Sequence, residues 1–230
     1  MPKAKPTQDY ITSLSSEMIL VEKGEFIMGD DSKIIFPKDF YFSKYLVTQG
    51  LWKAVMGVTT SHFKGDNRPV ETVLFHHIVR RFLPKLNELT GEKYRLPTEA
   101  EWEYVASGGK KGNRKQKYSG SNFLKEVGWF EKNSNGETRS VRLKKANDLG
   151  IFDMSGNVWE FCQDEWHNHL MNMPGDGSYR IHTRRTGSIP VIRGGAWSED
   201  KKLSTTTSRK RGTSLAASND VGFRLAKDID

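Results

Sequence analysis

Cysteine is almost absent from this chain. Cys162 is the only one among 230 residues, so no intrachain disulfide can form and the fold must stand on packing, alone or helped by a bound metal. No stretch approaches the ~18 consecutive apolar residues of a membrane span. The basic start, Met1-Pro2-Lys3-Ala4-Lys5-Pro6, has no apolar run behind it, so no secretory leader is read. These absences give the expectation of a cytoplasmic protein. Low-complexity tracts and fixed-period repeats are lacking too, which excludes solenoids and arrays. A chain of this length can bury a sizeable core as one domain.

What is present is positive charge, +8 at neutral pH, with clusters at Lys110 to Lys117, Lys144-Lys145, Arg184-Arg185 and Lys201 to Arg211. Such a surface attracts polyanions or acidic partners. Nucleic acid is therefore open as a partner on charge alone, but no nucleic-acid-binding motif accompanies it.

Residues 1–16 read as a flexible, polar lead-in, and 17–228 as one domain. Met18 to Val21 and Phe26 to Gly29, separated by Glu22 to Glu25, read as a β-hairpin. Thr48 reads as the N-cap of a helix over Gln49 to Met56 that stops at Gly57. Apolar residues from Val73 to Leu89 recur at a helical period, with a kink expected at Pro84. His76 and His77 lie on that helix, about 100° apart, a poor pair of metal ligands. Thr98 with Glu101 forms a capping box for a helix that ends near Gly108-Gly109. Its carboxylates read as acids complementing the helix dipole. Residues 110–148 read as a long loop without a core of its own. His167, His169 and His182 share a later loop, with spacing too loose for a zinc site. Val191 to Trp197 reads as a strand whose Gly194-Gly195 implies a bulge or close backbone approach. Val221 to Ala226 is the last strand, and the first and last strands are expected to pair.

One stretch is unusually loaded. Gly150 to Cys162 carries a Gly156-Asn157 turn, the carboxylates of Asp153 and Glu160, and apolar Ile151, Phe152, Val158, Trp159 and Phe161. It reads as two short buried strands around a turn able to hold a hard cation. The other reading is a plain turn, with Trp159 in the core and Glu160 in a salt bridge.

Four segments in order then form a series: Arg95 to Tyr104, Asp153 to Glu160, Arg193-Gly194-Gly195-Ala196-Trp197, and Gly222-Phe223-Arg224. Gly24 to Gly29, Val47-Thr48 and Asn67 to Val70 agree with it. The series resembles the signature of the formylglycine-generating enzyme (sulfatase-modifying factor) family over residues 17–228. The resemblance implies an α+β, C-type-lectin-like fold with short strands, two to three helices and much irregular structure. It also implies a Ca²⁺ site made by the Asp153 and Glu160 side chains with the Gly156 and Val158 carbonyls. In the enzyme a copper-binding pair of cysteines follows the Gly-Gly pair. Those places hold Glu199 and Ser204 here, neither a thiolate, so no copper is expected and the chain reads as a pseudo-enzyme. Cys162 falls outside the family's catalytic positions and reads as a small buried hydrophobe.

Variable ligand-display proteins on the same fold use the segment between Gly-Gly-x-Trp and Gly-Phe-Arg as their contact surface, here residues 198–220. The expectation is therefore a non-catalytic module that binds a protein or small molecule through Trp129, Trp197, Ser198, Glu199, Ser204, Arg209 and Arg211. The segment lacks the tyrosines usual in such surfaces. The alternative is a metal-dependent oxidoreductase with another ligand set, drawing on Cys162 and on His167, His169 or His182.

Overall fold

The structure, a computed structural model, describes residues 7–29, 31–180 and 189–229. His182 and the Arg184-Arg185 pair lie outside the described residues.

Residues 7–16 do not form the flexible lead-in expected of them. Tyr10, Ile11 and Leu14 fall on one side of a helical turn, which gives helix α1, Thr7–Thr12, an apolar stripe. Tyr10 packs on Gly50 so closely that a Cβ there would collide with its ring, and Leu14 is buried in the core. Strands β1 (Met18–Val21), β2 (Glu25–Met28), β3 (Ser32–Ile35) and β4 (Phe40–Ser43) follow. The expected hairpin of β1 with β2 does not form. β1 runs antiparallel to β4, Met18 opposite Ser43, while β2 pairs with β3, Phe26 opposite Ile34. Between them Gly24 passes against the Tyr104 hydroxyl, where a Cβ would not fit, and the chain leaves one sheet for another. Phe26 and Met28 then bury their side chains beside Phe36 and Tyr104.

Helix α2, Gln49–Met56, begins as its sequence dictates. The Thr48 hydroxyl accepts the Leu51 N–H at 3.2 Å, and Gly57 ends the helix at φ +89°. The next helix is one rod in three pieces: α3 (Phe75–His77), a π-helical turn over Ile78–Phe82, and α4 (Leu83–Thr90). Pro84 has no N–H to return to the preceding turn. The helix widens just before it, the Leu83 N–H reaching back five residues to the Ile78 carbonyl, so the expected kink is absorbed as a π turn. Short β5 (Tyr94–Arg95) leads into α5 (Glu99–Ala106), where both halves of the Thr98–Glu101 capping box are made. One-turn α6 (Leu124–Val127) sits in the long loop region, and with Tyr118 and Phe130 it buries a small satellite cluster where no core was expected.

The central stretch is the main departure from the strand reading. Only its end is a strand, β6 (Trp159–Glu165). Before it Gly150, Asp153, Gly156 and Asn157 all take left-handed backbone angles, φ 78°, 58°, 86° and 71°, which no strand accommodates. β7 (Pro190–Arg193), β8 (Arg209–Arg211), β9 (Val221–Gly222) and β10 (Ala226–Asp228) complete the chain.

The strands form two four-stranded sheets, ordered β1-β4-β10-β5 and β8-β7-β6-β9, beside the β2-β3 pair. The first and last strands do not pair with each other; they flank the same strand, β4. One core cluster joins α2 and α4 to the second sheet, with Trp52 stacked on Phe82 at 4.9 Å and Phe223 edge-on to both. The other gathers Phe26, Phe36, Phe40, Tyr104 and Trp102 beneath β4 and α5. The architecture is α+β with short strands, few helices and much irregular structure.

Candidate functional site

Helix α5 carries Glu99 and Glu101 in its first turn, as the dipole reading expects, but every one of its residues is buried, so its acids need partners inside the protein. Glu99 and Glu103 face Arg193, which is fully buried at the end of β7. Nη1 of Arg193 donates to Glu99 at 3.1 Å, and Nη2 donates to Glu103 and, at 2.9 Å, to the Thr206 carbonyl. Arg209 closes the group from β8 with two bonds of 2.7 and 2.8 Å to the Glu99 carboxylate. Its guanidinium lies 4.4 Å over the Trp166 ring. Two carboxylates thus balance two guanidinia, as burial demands. A period-based reading misses this, because a helix buried all round shows no polar face.

After β7 the backbone turns through Gly194 and Gly195, at φ 96° and 79°. Gly194 touches the Trp102 ring, and Gly195 lies on Ser204 with no room for a Cβ, the close approach that the two glycines implied. Ser204 is consequently fully buried, and its hydroxyl has no hydrogen-bond partner among the described residues. Glu199 is half-buried; its Oε1 accepts from Trp159 Nε1 at 3.1 Å and from Lys210 Nζ at 2.8 Å. Trp197 stands edge-on to Phe63 at 5.3 Å and donates Nε1–H to the Asn219 carbonyl.

Of the seven residues expected to share a contact face, the structure brings four together. Trp129 accepts the Asn157 N–H through its carbonyl, the Trp197 N–H bonds the Asn157 carbonyl, and the Glu131 N–H bonds the Glu199 carbonyl. Trp129, Trp197, Ser198 and Glu199 therefore lie on adjoining segments, with Lys144 Nζ 4.0 Å above the Trp129 ring. Two residues are corrected. Ser204 is buried and presents nothing to a ligand, and Arg209 is turned inward to Glu99. Arg211 is exposed on β8, whose register places it opposite Val191. The sequence reading missed Lys210, which pairs with Glu199 and lies 5.2 Å from the Trp159 ring.

Cys162 is fully buried, and burial holds its thiol well above the ordinary range, so it is no thiolate at neutral pH. His167 bonds the Glu165 carbonyl through Nδ1, and His169 is exposed. Among the described residues, no three His, Cys, Asp or Glu side chains are grouped to hold a metal ion.

A family model, the sulfatase-modifying factor enzyme 1-like domain, matches residues 4–229. The chain belongs to this family. It is 37% identical to the chaperone protein LppX of Paenibacillus barcinonensis, over 69% of this chain and 74% of that protein. It is 31% identical to the formylglycine-generating enzyme of Thermomonospora curvata, over 77% of this chain but only 61% of the enzyme. Among solved structures it resembles Treponema denticola variable protein 1, with a TM-score of 0.82 and 28% identity, covering 92% of this chain and 95% of that one. The fold is the C-type-lectin-like fold of the sulfatase-modifying factor family.

The family implies a calcium ion in the central stretch, and the oxygens there fit one in part. Oδ2 of Asp153 accepts the Arg142 N–H at 2.8 Å, whereas Oδ1 is buried with no hydrogen-bond partner among the described residues. A buried carboxylate oxygen with no hydrogen-bond donor is the kind of hard oxygen that a cation takes as a ligand. Burial pushes the Asp153 carboxyl up to about 6. Glu160 is more committed. Arg224 donates to both of its oxygens, and Trp102 Nε1 donates to Oε2 at 2.8 Å. Only Oε1, with its single bond of 2.8 Å, keeps a lone pair for a second donor.

Asp164 on β6 is the buried acid whose titration shows most. It accepts the Glu99 N–H at 2.6 Å, at the start of α5, and the Arg180 N–H at 2.8 Å. Burial outweighs these donors and pushes its carboxyl up to about 7. The folded value lies above the unfolded value of about 3.9, so this group's contribution to stability is complete below about pH 4 and is lost as pH rises through about 7. Asp164→Asn leaves one N–H without an acceptor and lowers stability by about 1–3 kcal/mol at low pH. It also shrinks the difference in urea midpoint between about pH 5 and about pH 8.

Proposed function

We propose that this chain is a non-catalytic binding module on the formylglycine-generating-enzyme fold, with its contact face on the 198–220 segment together with Trp129 and Trp197. The observation that carries this reading is the state of the two positions where the family resemblance sets the copper thiolates. Ser204 is sealed beneath Gly195, and Glu199 is tied to Lys210 and Trp159. Neither offers a soft ligand for Cu(I), and the one thiol of the chain is buried elsewhere. The likeness to a variable protein over nearly the whole chain supports a binding role. The face itself holds Trp129, Trp197, Ser198 and Glu199, with Lys210 and the exposed Lys201 and Lys202 around them. An aromatic centre rimmed by lysines suits a protein or small molecule that brings hydrogen-bond acceptors. The purified chain, incubated with a Cys-x-Pro-x-Arg peptide, oxygen and copper, is expected to form no aldehyde by mass spectrometry; catalytic aldehyde formation would sink the reading.

Calcium in the central stretch is the second part of the proposal. Asp153 Oδ1 and Glu160 Oε1 would hold the ion with the Gly156 and Val158 carbonyls, and the ion would supply the positive charge that this buried turn lacks at Asp153. The expected result is a melting midpoint that rises with added Ca²⁺ and falls with EDTA. Asp153→Asn, which tolerates the left-handed φ of 58°, is expected to abolish that response while remaining folded. An unchanged midpoint in the parent chain contradicts the site.

A further inference from the structure

A cavity of about 450 Å³ opens where α1 meets the loop before the central stretch. It shares no lining residue with the 198–220 segment, and its size is that of a small-molecule site. Two features set it apart from an ordinary surface cleft. One part of its wall is apolar and aromatic, with Leu14, Leu51, Tyr10 and Tyr45, another is polar, with Ser13, Thr48, Asn67 and Ser140, and it holds one charge of each sign. Arg142 Nη1 and Glu17 Oε1 are 3.7 Å apart, held by charge rather than by a hydrogen bond. The Arg142 guanidinium rests 5.2 Å from the Tyr45 ring centre and stays half exposed; the Tyr45 hydroxyl interacts with both it and Glu17, so a ligand there competes with that hydroxyl for the pair.

The second feature is backbone strain. Arg142 has φ 67°, a left-handed angle that an arginine adopts only at a cost. Its N–H is fixed on Asp153 Oδ2, which sets the main chain and leaves the side chain at the cavity. A glycine would meet the backbone requirement without strain, so the guanidinium itself calls for an explanation.

We infer that this cavity binds a free apolar α-amino acid, its carboxylate on Arg142, its ammonium on Glu17 and its side chain among Leu14, Leu51 and Tyr10. The charges decide the class. A simple anion would meet Glu17 and a simple cation would meet Arg142, each next to a like charge. A zwitterion with its two charges one carbon apart takes both groups of a pair that is already adjacent, and neither is left unmatched. The apolar part of the wall, Leu14, Leu51 and Tyr10, then favours an apolar side chain over a charged one.

The test is calorimetric titration of the full chain with L-phenylalanine and L-leucine. One saturable site is expected. N-acetyl-phenylalanine, which lacks the ammonium, and phenylalanine amide, which lacks the carboxylate, are each expected to bind at least about 10-fold more weakly. Arg142→Gly relieves the backbone and is expected to keep or raise the melting midpoint while weakening L-phenylalanine at least about 10-fold. Glu17→Gln is expected to narrow the preference for the free amino acid over its N-acetyl form. No saturable binding of either amino acid overturns the inference. So does equal binding by folded Arg142→Gly, or equal affinity for the N-acetyl form.

Discussion

The contact between Glu160 and Arg224 is the point on which the rest of the structure turns. Both residues are wholly buried, and the guanidinium donates to both carboxylate oxygens. Arg224 also donates to the Ser43 carbonyl at the end of β4 and to the Phe152 carbonyl in the central stretch. The same carboxylate accepts Trp102 Nε1–H from α5. One pair of charges therefore ties together both large sheets, the buried helix and the irregular Gly150–Val158 segment. Removing two charges from water is expensive, and the pair is tolerable only because nearly every donor and lone pair is matched. That demand for matching gives the surrounding loops a single arrangement in a chain with little regular structure.

Arg193 repeats the device on the far side of Trp102, whose ring lies 5.1 Å from that guanidinium. Through Glu99, Glu103 and Arg209 it sews residues 206–209 to α5. The segment after Gly194-Gly195 is thus no free loop. Its inner half is pinned by ion pairs and by the packing of Ser204, and its outer half presents Trp197, Ser198 and Lys210. A base fixed in this way holds the partly exposed Trp197 and the exposed Ser198 and Lys210 in one arrangement. At the two positions where the family resemblance sets the enzyme's thiolates, Glu199 is in a salt bridge with Lys210 and the Ser204 hydroxyl is buried.

How much of this could be read from the residues depended on whether the signal was local. The Thr48 and Thr98 caps, the stop at Gly57 and the constraint at Pro84 are short-range chemistry, and each appears where the sequence puts it. The order of motifs from Arg95 to Arg224 was enough to give the family and fold. Pairing was not legible: Met18 to Val21 finds its partner in β4, Met18 opposite Ser43 and Val21 opposite Phe40, past a turn that looked like a hairpin. Nor could the sequence assign Glu99 and Glu103 to Arg193, about 90 residues on, because nothing in α5 marks its acids as buried. The same blindness placed Arg209 and Ser204 on the contact face and overlooked Lys210. Left-handed angles at Asp153 and Asn157 broke the alternation that suggested two strands around the central turn.

The central claim is that Glu160 and Arg224 act as one unit, and a double-mutant cycle in urea tests it most directly. Glu160→Met and Arg224→Met should each cost about 3–5 kcal/mol, because each leaves a buried charge without its partner. The double variant, with neither charge to bury, should cost well under the sum of the two, a coupling of at least about 2 kcal/mol. Additive losses would contradict the account, since they would mean that the two side chains contribute to the fold independently.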